Sequence, residues 1–165
     1  ARFLYRPGAL RGVNLPASGY RMGRFTVRVT DPTHPIAHGV SDFEIDDEIY
    51  FAPFLNDRLT PFLDSDADMD GALFQDAFDE VSNGVSTGVT CADRGQDGGL
   101  HGGSSQMGWT TTAGISPVAT LLMGDGPSTF AHPMFRLLLA NSLEWVGSDQ
   151  AAHDARENPF TIPLP

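Results

Sequence analysis

Three carboxylates stand side by side at Asp46, Asp47 and Glu48, and Tyr50 follows them closely. Apolar and polar residues alternate around this cluster, which predicts a strand over 43–50. Because side chains alternate between the faces of a strand, Asp46 and Glu48 should share one face and Asp47 the other. Like charge or partial burial raises the pKa of such a carboxyl, which allows it to act as a general acid. The alternative is a solvated strand edge without a catalytic role.

Two further residues, His101 and Asp125, occupy loop positions of the kind in which ligand-contacting residues are found. His101 lies near the end of a Gly-, Ser- and Asp-rich segment over 82–106 and precedes a predicted strand. Loops in such places commonly carry binding residues. Asp125 belongs to a second segment, the glycine turn (residues 124–129), which separates a predicted strand from a predicted helix. Ligands bind at such strand-to-helix turns in α/β folds.

A second acidic cluster, over 66–73, matches the first eight positions of a calcium-binding loop, with Gly71 for the sharp turn. The twelfth position of such a loop is a bidentate glutamate, and here it is Ala77. We therefore expect no tight calcium binding and interpret Asp70 as a helix N-cap. No metal and no cofactor are predicted for this protein.

Composition excludes several classes of function. The 165 residues carry a net charge of −11, with 21 acidic residues and 10 basic residues that are all arginine. Residues 1–30 carry +6 and the rest −17, so nucleic acid is not a predicted partner. The absence of lysine excludes a lysine Schiff base and a P-loop phosphate site. The single cysteine, Cys91, excludes an internal disulfide and a multi-thiolate zinc site.

No apolar run approaches the ~20 residues that cross a bilayer. No charged and apolar leader is visible either, so we expect no membrane association and a cytoplasmic location.

Periodicity predicts an α/β chain. A helix over 133–146 should bury the stripe Phe135, Leu139, Leu143 and Val146, and an extended tail should follow over 148–165. A second, shorter helix is predicted over 70–81. The predicted strands cover 24–31, 43–50, 59–63, 109–112 and 117–123, the last with buried character.

Three segments occur together in an order that resembles the ThuA-like (trehalose-utilisation) family. The first is His34-Pro35-Ile36 with Gly39, and the second is DFEIDDEIY over 42–50. The third is the ending over 117–146, which contains PVATLLMGDGP and HPMFRLLLANSLEWV. The similarity covers most of residues 1–147.

The resemblance implies a flavodoxin-like sheet with flanking helices, related to class I glutamine amidotransferases, and a role in carbohydrate metabolism. It does not imply amidotransferase chemistry, because no cysteine on a strand–helix elbow is present. Residues 1–147 then correspond to the carboxy-terminal portion of such a domain, without its first parallel strands. A second copy of the chain or an upstream segment is expected to complete the sheet.

The resemblance implies a sugar as the substrate, and with the carboxylate cluster it leads us to expect acid–base chemistry on trehalose, a related disaccharide or an oxidised sugar. Hydrolase, lyase and isomerase reactions all remain open. The alternative is a non-catalytic carbohydrate-binding or accessory domain. Glu48 is the candidate acid or base, Asp47 would assist it, and the candidate substrate-binding residues are Tyr50, His101, Asp125 and His34.

Overall fold

A computed structural model describes residues 19–51, 59–76 and 104–160 of the protein. Within these residues the chain forms two compact units. The first contains residues 19–23, 48–51, 67–76 and 104–105, and the second contains 24–47, 59–66 and 106–160. Strands and helices occur in the same chain, so the predicted α/β class is confirmed.

Six strands form one sheet. They are β1 (Gly19–Val29), β2 (Phe43–Phe51), β3 (Thr60–Ser65), β4 (Gln75–Asp76), β5 (Gln106–Ala113) and β6 (Ser116–Leu121). The order is β2-β1-β3-β5-β6, and β4 pairs with β1. The five predicted strands are confirmed. Buried residues alternate strictly along β2, as on a strand with one buried face, whereas β3 and β5 bury consecutive residues. The last predicted strand, β6, is half-buried rather than buried.

The described pairings β1–β3, β1–β4, β3–β5 and β5–β6 are all antiparallel. Only Gly114 and Ile115 separate β5 from β6, and a connection this short can join only antiparallel strands. Gly114 adopts a positive φ of 62° there. The sheet described here therefore differs from the parallel sheet that a flavodoxin-like fold would have, and that assignment is not confirmed.

Three α-helices follow the strands: α1 (Pro127–Ala131), α2 (Pro133–Val146) and α3 (Asp149–Glu157). Short 3₁₀ helices form at Pro35–Ala37 and Gly71–Leu73. The predicted bounds of α2 are confirmed. Pro133 suits a first helical position because it has no N–H to satisfy, and Gly147 follows the last one.

The predicted helix over 70–81 is wrong where the structure describes it. Asp70 caps a single 3₁₀ turn, and Gln75 then pairs with Tyr20 in the β4–β1 ladder. Phe74 is fully buried while its neighbour Leu73 is 49% exposed, which is the alternation of an extended chain. Strand pairing therefore takes the place of the predicted helix here. Residues 77–81 lie outside the described ranges.

The predicted buried stripe of α2 is also wrong in part. Phe135 is buried as expected, but Leu143 is 65% exposed. The buried positions are instead Phe135, Leu138 and Ser142. The spacing of the apolar residues therefore predicts the helix correctly but not the side that faces the core. A core-facing position is occupied by Ser142, which a hydrophobic pattern does not detect.

The predicted extended tail over 148–165 is wrong for most of its described part. Residues 149–157 form α3, whose first turn is capped by the Ser148 hydroxyl, which accepts a hydrogen bond from the Ala151 N–H. Ala151 and Ala155 are buried one turn apart, and the helix packs against β6. After the helix, Phe160 forms a two-hydrogen-bond bridge with Gly114.

Apolar side chains fill the inner side of the second unit. Phe62 and Leu63 of β3 are fully buried, as are Val27 of β1 and Leu138 of α2. In the first unit, the Phe51 and Phe74 rings lie 5.3 Å apart, and Arg21 lies over the Phe74 ring. No helix among the described residues has the length and apolar character needed to cross a membrane.

We predict that Leu138→Ala lowers the free energy of unfolding by about 2–5 kcal/mol, because it leaves a cavity at a fully buried site. Leu139→Ala, the same change one residue away at a 37% exposed position, should cost about 1 kcal/mol or less. Urea unfolding of both variants measures the difference. Equal losses would contradict the described orientation of α2.

Candidate functional site

The carboxylate cluster of β2 divides between two faces, as the alternation predicts. Asp47 lies on the buried face with Phe43 and Ile45 and is 0% exposed. Asp46 and Glu48 lie on the opposite face, where Asp46 is exposed and Glu48 half-buried. The adjacent carboxylates therefore occupy different environments, and only Asp47 is enclosed by protein.

The Asp47 carboxylate accepts three backbone hydrogen bonds from the glycine turn. The Gly124 N–H donates to Oδ2 at 2.7 Å, and the N–H groups of Asp125 and Gly126 donate to Oδ1 at 3.2 and 3.1 Å. Both carboxylate oxygens are thus engaged, which offsets the cost of burying the charge. This arrangement gives Asp47 a clear role in holding the turn.

Gly124 makes the turn possible. Its φ of +119° is a conformation that other residues rarely adopt. A side chain there would also place its Cβ 3.0 Å from the Phe135 ring. Pro127 then begins α1, so the turn links the end of β6 to the helices.

The structure brings only some of the predicted site residues together. Asp125 joins Asp47 through its backbone, while its own side chain is exposed. Glu48 and Tyr50 share the outer face of β2, two positions apart and both half-buried. His34 lies elsewhere in the second unit, and His101 lies outside the described residues.

His34 is a buried histidine with both ring nitrogens engaged. Its Nδ1 accepts from the Ile36 N–H at 3.2 Å and caps the 3₁₀ helix, so in the neutral ring Nε2 carries the proton. Nε2 lies 3.3 Å from the Thr110 hydroxyl, and the ring stacks on Phe62. Burial lowers the pKa of His34 from its ordinary value of 6.5, against the opposite effect of the Asp31 carboxylate.

A cleft of about 520 Å³ opens beside His34, and all of its walls belong to the second unit. One wall is the segment over 32–38, and the other is the end of α2 with the start of α3. The lining residues contribute an indole, a carboxylate, two amides and two imidazoles, which come from Trp145, Glu144, Asn141, Gln150, His34 and His38. This is the mixed apolar and polar lining typical of small-molecule sites.

Asn141 fixes the two walls of the cleft relative to each other. Its side-chain amide donates to the carbonyls of Ile36 at 2.9 Å and His38 at 3.0 Å. One side chain on α2 therefore satisfies two backbone acceptors of the turn that contains the 3₁₀ helix. The cleft is shaped by this contact and by the capping of that helix by His34.

Sequence reasoning missed Asn141, Glu144 and Trp145, although a signal was present. They stand three and four residues apart on a helix, which places all three on one face. The apolar stripe that the sequence predicts, with Leu139, Leu143 and Val146, lies on the opposite face of this helix. Only the packing of α2 identifies the other side as the one that lines a cleft.

The aspartates over 66–70 serve as hydrogen-bond acceptors for the chain. Asp70 caps the 3₁₀ helix by accepting from the Ala72 N–H at 3.0 Å, which confirms its predicted N-cap role. Asp66 accepts from the Thr26 N–H at 2.7 Å, and this contact lowers the pKa of its carboxyl. Among the described residues, no group of three His, Cys, Asp or Glu side chains is placed to hold a metal ion.

Comparisons of this chain with protein-family models, with curated proteins and with solved structures found no match.

We predict that the His34 contacts make stability depend on pH in a defined window. The folded pKa lies below 6.5, so as pH falls below 6.5 the unfolded chain takes up a proton that the folded chain excludes. The stabilisation is therefore complete above pH 6.5 and decreases as pH falls toward the folded pKa.

His34→Asn should remove this part of the pH dependence, because asparagine can still cap the 3₁₀ helix but does not titrate. The matched control is His153→Gln, which removes a histidine at an exposed position of α3 and leaves the His34 contacts in place. Unfolding free energies from urea titrations across the window give the comparison. An equally steep decrease in wild type and His34→Asn would show that His34 is not its source.

Proposed function

We propose that this protein is a ThuA-like protein of carbohydrate metabolism that binds a small sugar in the cleft beside Trp145. The flavodoxin-like architecture and a cytoplasmic location belong to the same proposal. That architecture requires parallel strands in addition to the antiparallel ones described, supplied by a second copy or an upstream segment.

The observation that carries the proposal is that the three segments of the resemblance are hydrogen-bonded to one another. Asp47 of the second segment holds the glycine turn of the third. Asn141 of the third segment holds the first through the carbonyls of Ile36 and His38. Sequence motifs that contact one another in the structure support membership of the family more strongly than motifs that lie far apart.

The chemistry of the cleft supports a sugar as the ligand. A half-buried indole such as Trp145 offers a flat apolar face, against which the C–H face of a pyranose can stack. Around it, Glu144 and the side-chain carbonyl of Gln150 offer acceptors to hydroxyl groups. A volume of about 520 Å³ lies within the usual range for small-molecule sites and suits a mono- or disaccharide.

Acid–base catalysis is the further step of this proposal, with Glu48 as the acid or base and Tyr50 beside it on the same strand face. Asp47 would support this chemistry by positioning the glycine turn, since both of its oxygens are engaged there. The reaction would be hydrolysis, elimination or isomerisation of a sugar.

Non-catalytic binding is the second candidate function, and one observation favours it. Glu48 is not among the residues that line the cleft.

We expect trehalose or a related disaccharide to bind in the cleft, and Trp145→Ala to weaken that binding by about tenfold or more through loss of the stacking surface. Phe130→Ala is the matched control, because Phe130 is a 49% exposed aromatic residue outside the cleft. Calorimetric titration with a panel of mono- and disaccharides measures both. If no sugar in the panel binds, or if the two variants lose affinity equally, the assignment of the cleft fails.

The same panel, followed for product formation by NMR, separates the two functions. Turnover that Glu48→Gln abolishes would support an enzyme. The control Glu44→Gln, on the same face of β2 and exposed, should retain activity. Binding without turnover by the wild-type chain would support the non-catalytic function.

A further inference from the structure

We infer that the cleft selects a sugar that carries a protonated amino group and rejects sugar acids and sugar phosphates. This inference rests on the proposed function, because it names the class of sugar for the same cleft. It derives from three properties of the lining: its charge, the donors already engaged within the protein, and the aromatic wall.

The charge of the lining disfavours an anionic ligand. Among the described residues that line the cleft, Glu144 is the one carboxylate and none is an arginine. The sequence contains no lysine, so no lysine ammonium group is available either. Within the described ranges Glu144 is exposed and forms no ion pair, so its charge faces the cleft uncompensated. A sugar acid or phosphate would meet repulsion where such ligands normally meet arginine.

The start of α3 does not offset this repulsion. The Ser148 hydroxyl already accepts the Ala151 N–H, and Asp149 adds a negative charge in the first turn. A helix N-terminus favours anions through its free N–H groups and its dipole, and both are partly neutralised by these two residues.

Most side-chain donors of the lining are already engaged within the protein. The Asn141 amide donates to two backbone carbonyls, and the Gln150 amide donates to Asp154 at 2.8 Å. The Ser148 hydroxyl donates to the Trp145 carbonyl, and the Thr33 hydroxyl donates to Asp31.

The Trp145 indole N–H and the His38 imidazole are further donors of the lining. Its strongest hydrogen-bonding group is the charged Glu144 carboxylate, which only accepts. The best match for that carboxylate is a donor-rich group, and an ammonium group has three donors and no acceptor.

Trp145 adds an attraction for positive charge. Its ring is half-buried beside Glu144, and an indole face attracts a cation within about 6 Å of its centre. An amino sugar can place its C–H face and its ammonium group in one cleft, so the aromatic ring and the carboxylate act on the same ligand. A neutral sugar would stack on the ring and donate hydroxyl groups to Glu144 without an attraction between opposite charges, and the carboxylate would repel an acidic sugar.

The test is calorimetric titration of the full chain near neutral pH with glucosamine, glucose and glucuronate, which share one ring size. We expect glucosamine to bind about tenfold more tightly than glucose and glucuronate to bind most weakly. Glu144→Gln should remove the preference for glucosamine and lower glucose affinity far less than glucosamine affinity, because the glutamine side-chain carbonyl still accepts from a hydroxyl group. Glu157→Gln, the same chemical change on an exposed residue of α3 outside the cleft, should preserve it.

Ethanolamine, a protonated amine without a sugar ring, distinguishes failure of this inference from failure of the proposed function. Equal affinity for glucose and glucosamine would overturn the amine preference while sugar binding stands. A preference for glucosamine that persists in Glu144→Gln would overturn it in the same way. Ethanolamine binding that depends on Glu144 and Trp145, without binding of any sugar, would support amine recognition and overturn the proposed function. If none of these ligands binds, both fail. Thermal melting of each variant confirms that it is folded.

Discussion

The buried Asp47 carboxylate is the constraint on which the second unit depends. A charge that is removed from water must find hydrogen-bond donors, and Asp47 finds three in the backbone of the glycine turn. The requirement is reciprocal, because those N–H groups precede α1 and need an acceptor. Asp47 and Gly124 are 77 residues apart in the sequence, so their contact joins the strand β2 to the turn that precedes the helices.

Asn141 makes a second long-range contact of the unit. Together with the Asp47 contact, it explains how a cleft can form on a small unit. Asp47 fixes where the helices begin, and Asn141 then fixes α2 against the turn that contains Ile36. The cleft lies between that turn and the helix ends, with His34 capping the 3₁₀ helix at its base. Asp47, a candidate catalytic residue, and His34, a candidate substrate-binding residue, thus have structural roles. The cleft presents the side chains of Glu144 and Trp145 to a ligand.

Much of the fold could be predicted from the sequence, because strand alternation and a proline at the start of α2 are local signals. The orientation of α2 could not, because it depends on which face meets the sheet, and Ser142 rather than Leu143 faces inward. The helix α3 had a local signal in the Ser148 cap, but its alanine-rich face carries little hydrophobic pattern. The role of Asp47 could not be predicted either, because its hydrogen-bond donors lie far away in the sequence and no local pattern near β2 indicates them.

The most direct test of this account is the free energy of unfolding of Asp47→Asn, with Asp46→Asn as the matched change on the exposed face of β2. Asparagine would place an amide N–H₂ against backbone donors, so we predict a loss of about 2–4 kcal/mol, or failure to fold. Asp46→Asn should stay within about 0.5 kcal/mol of wild type. A loss that is equal in the two variants would contradict the claim that the Asp47 carboxylate holds the second unit together.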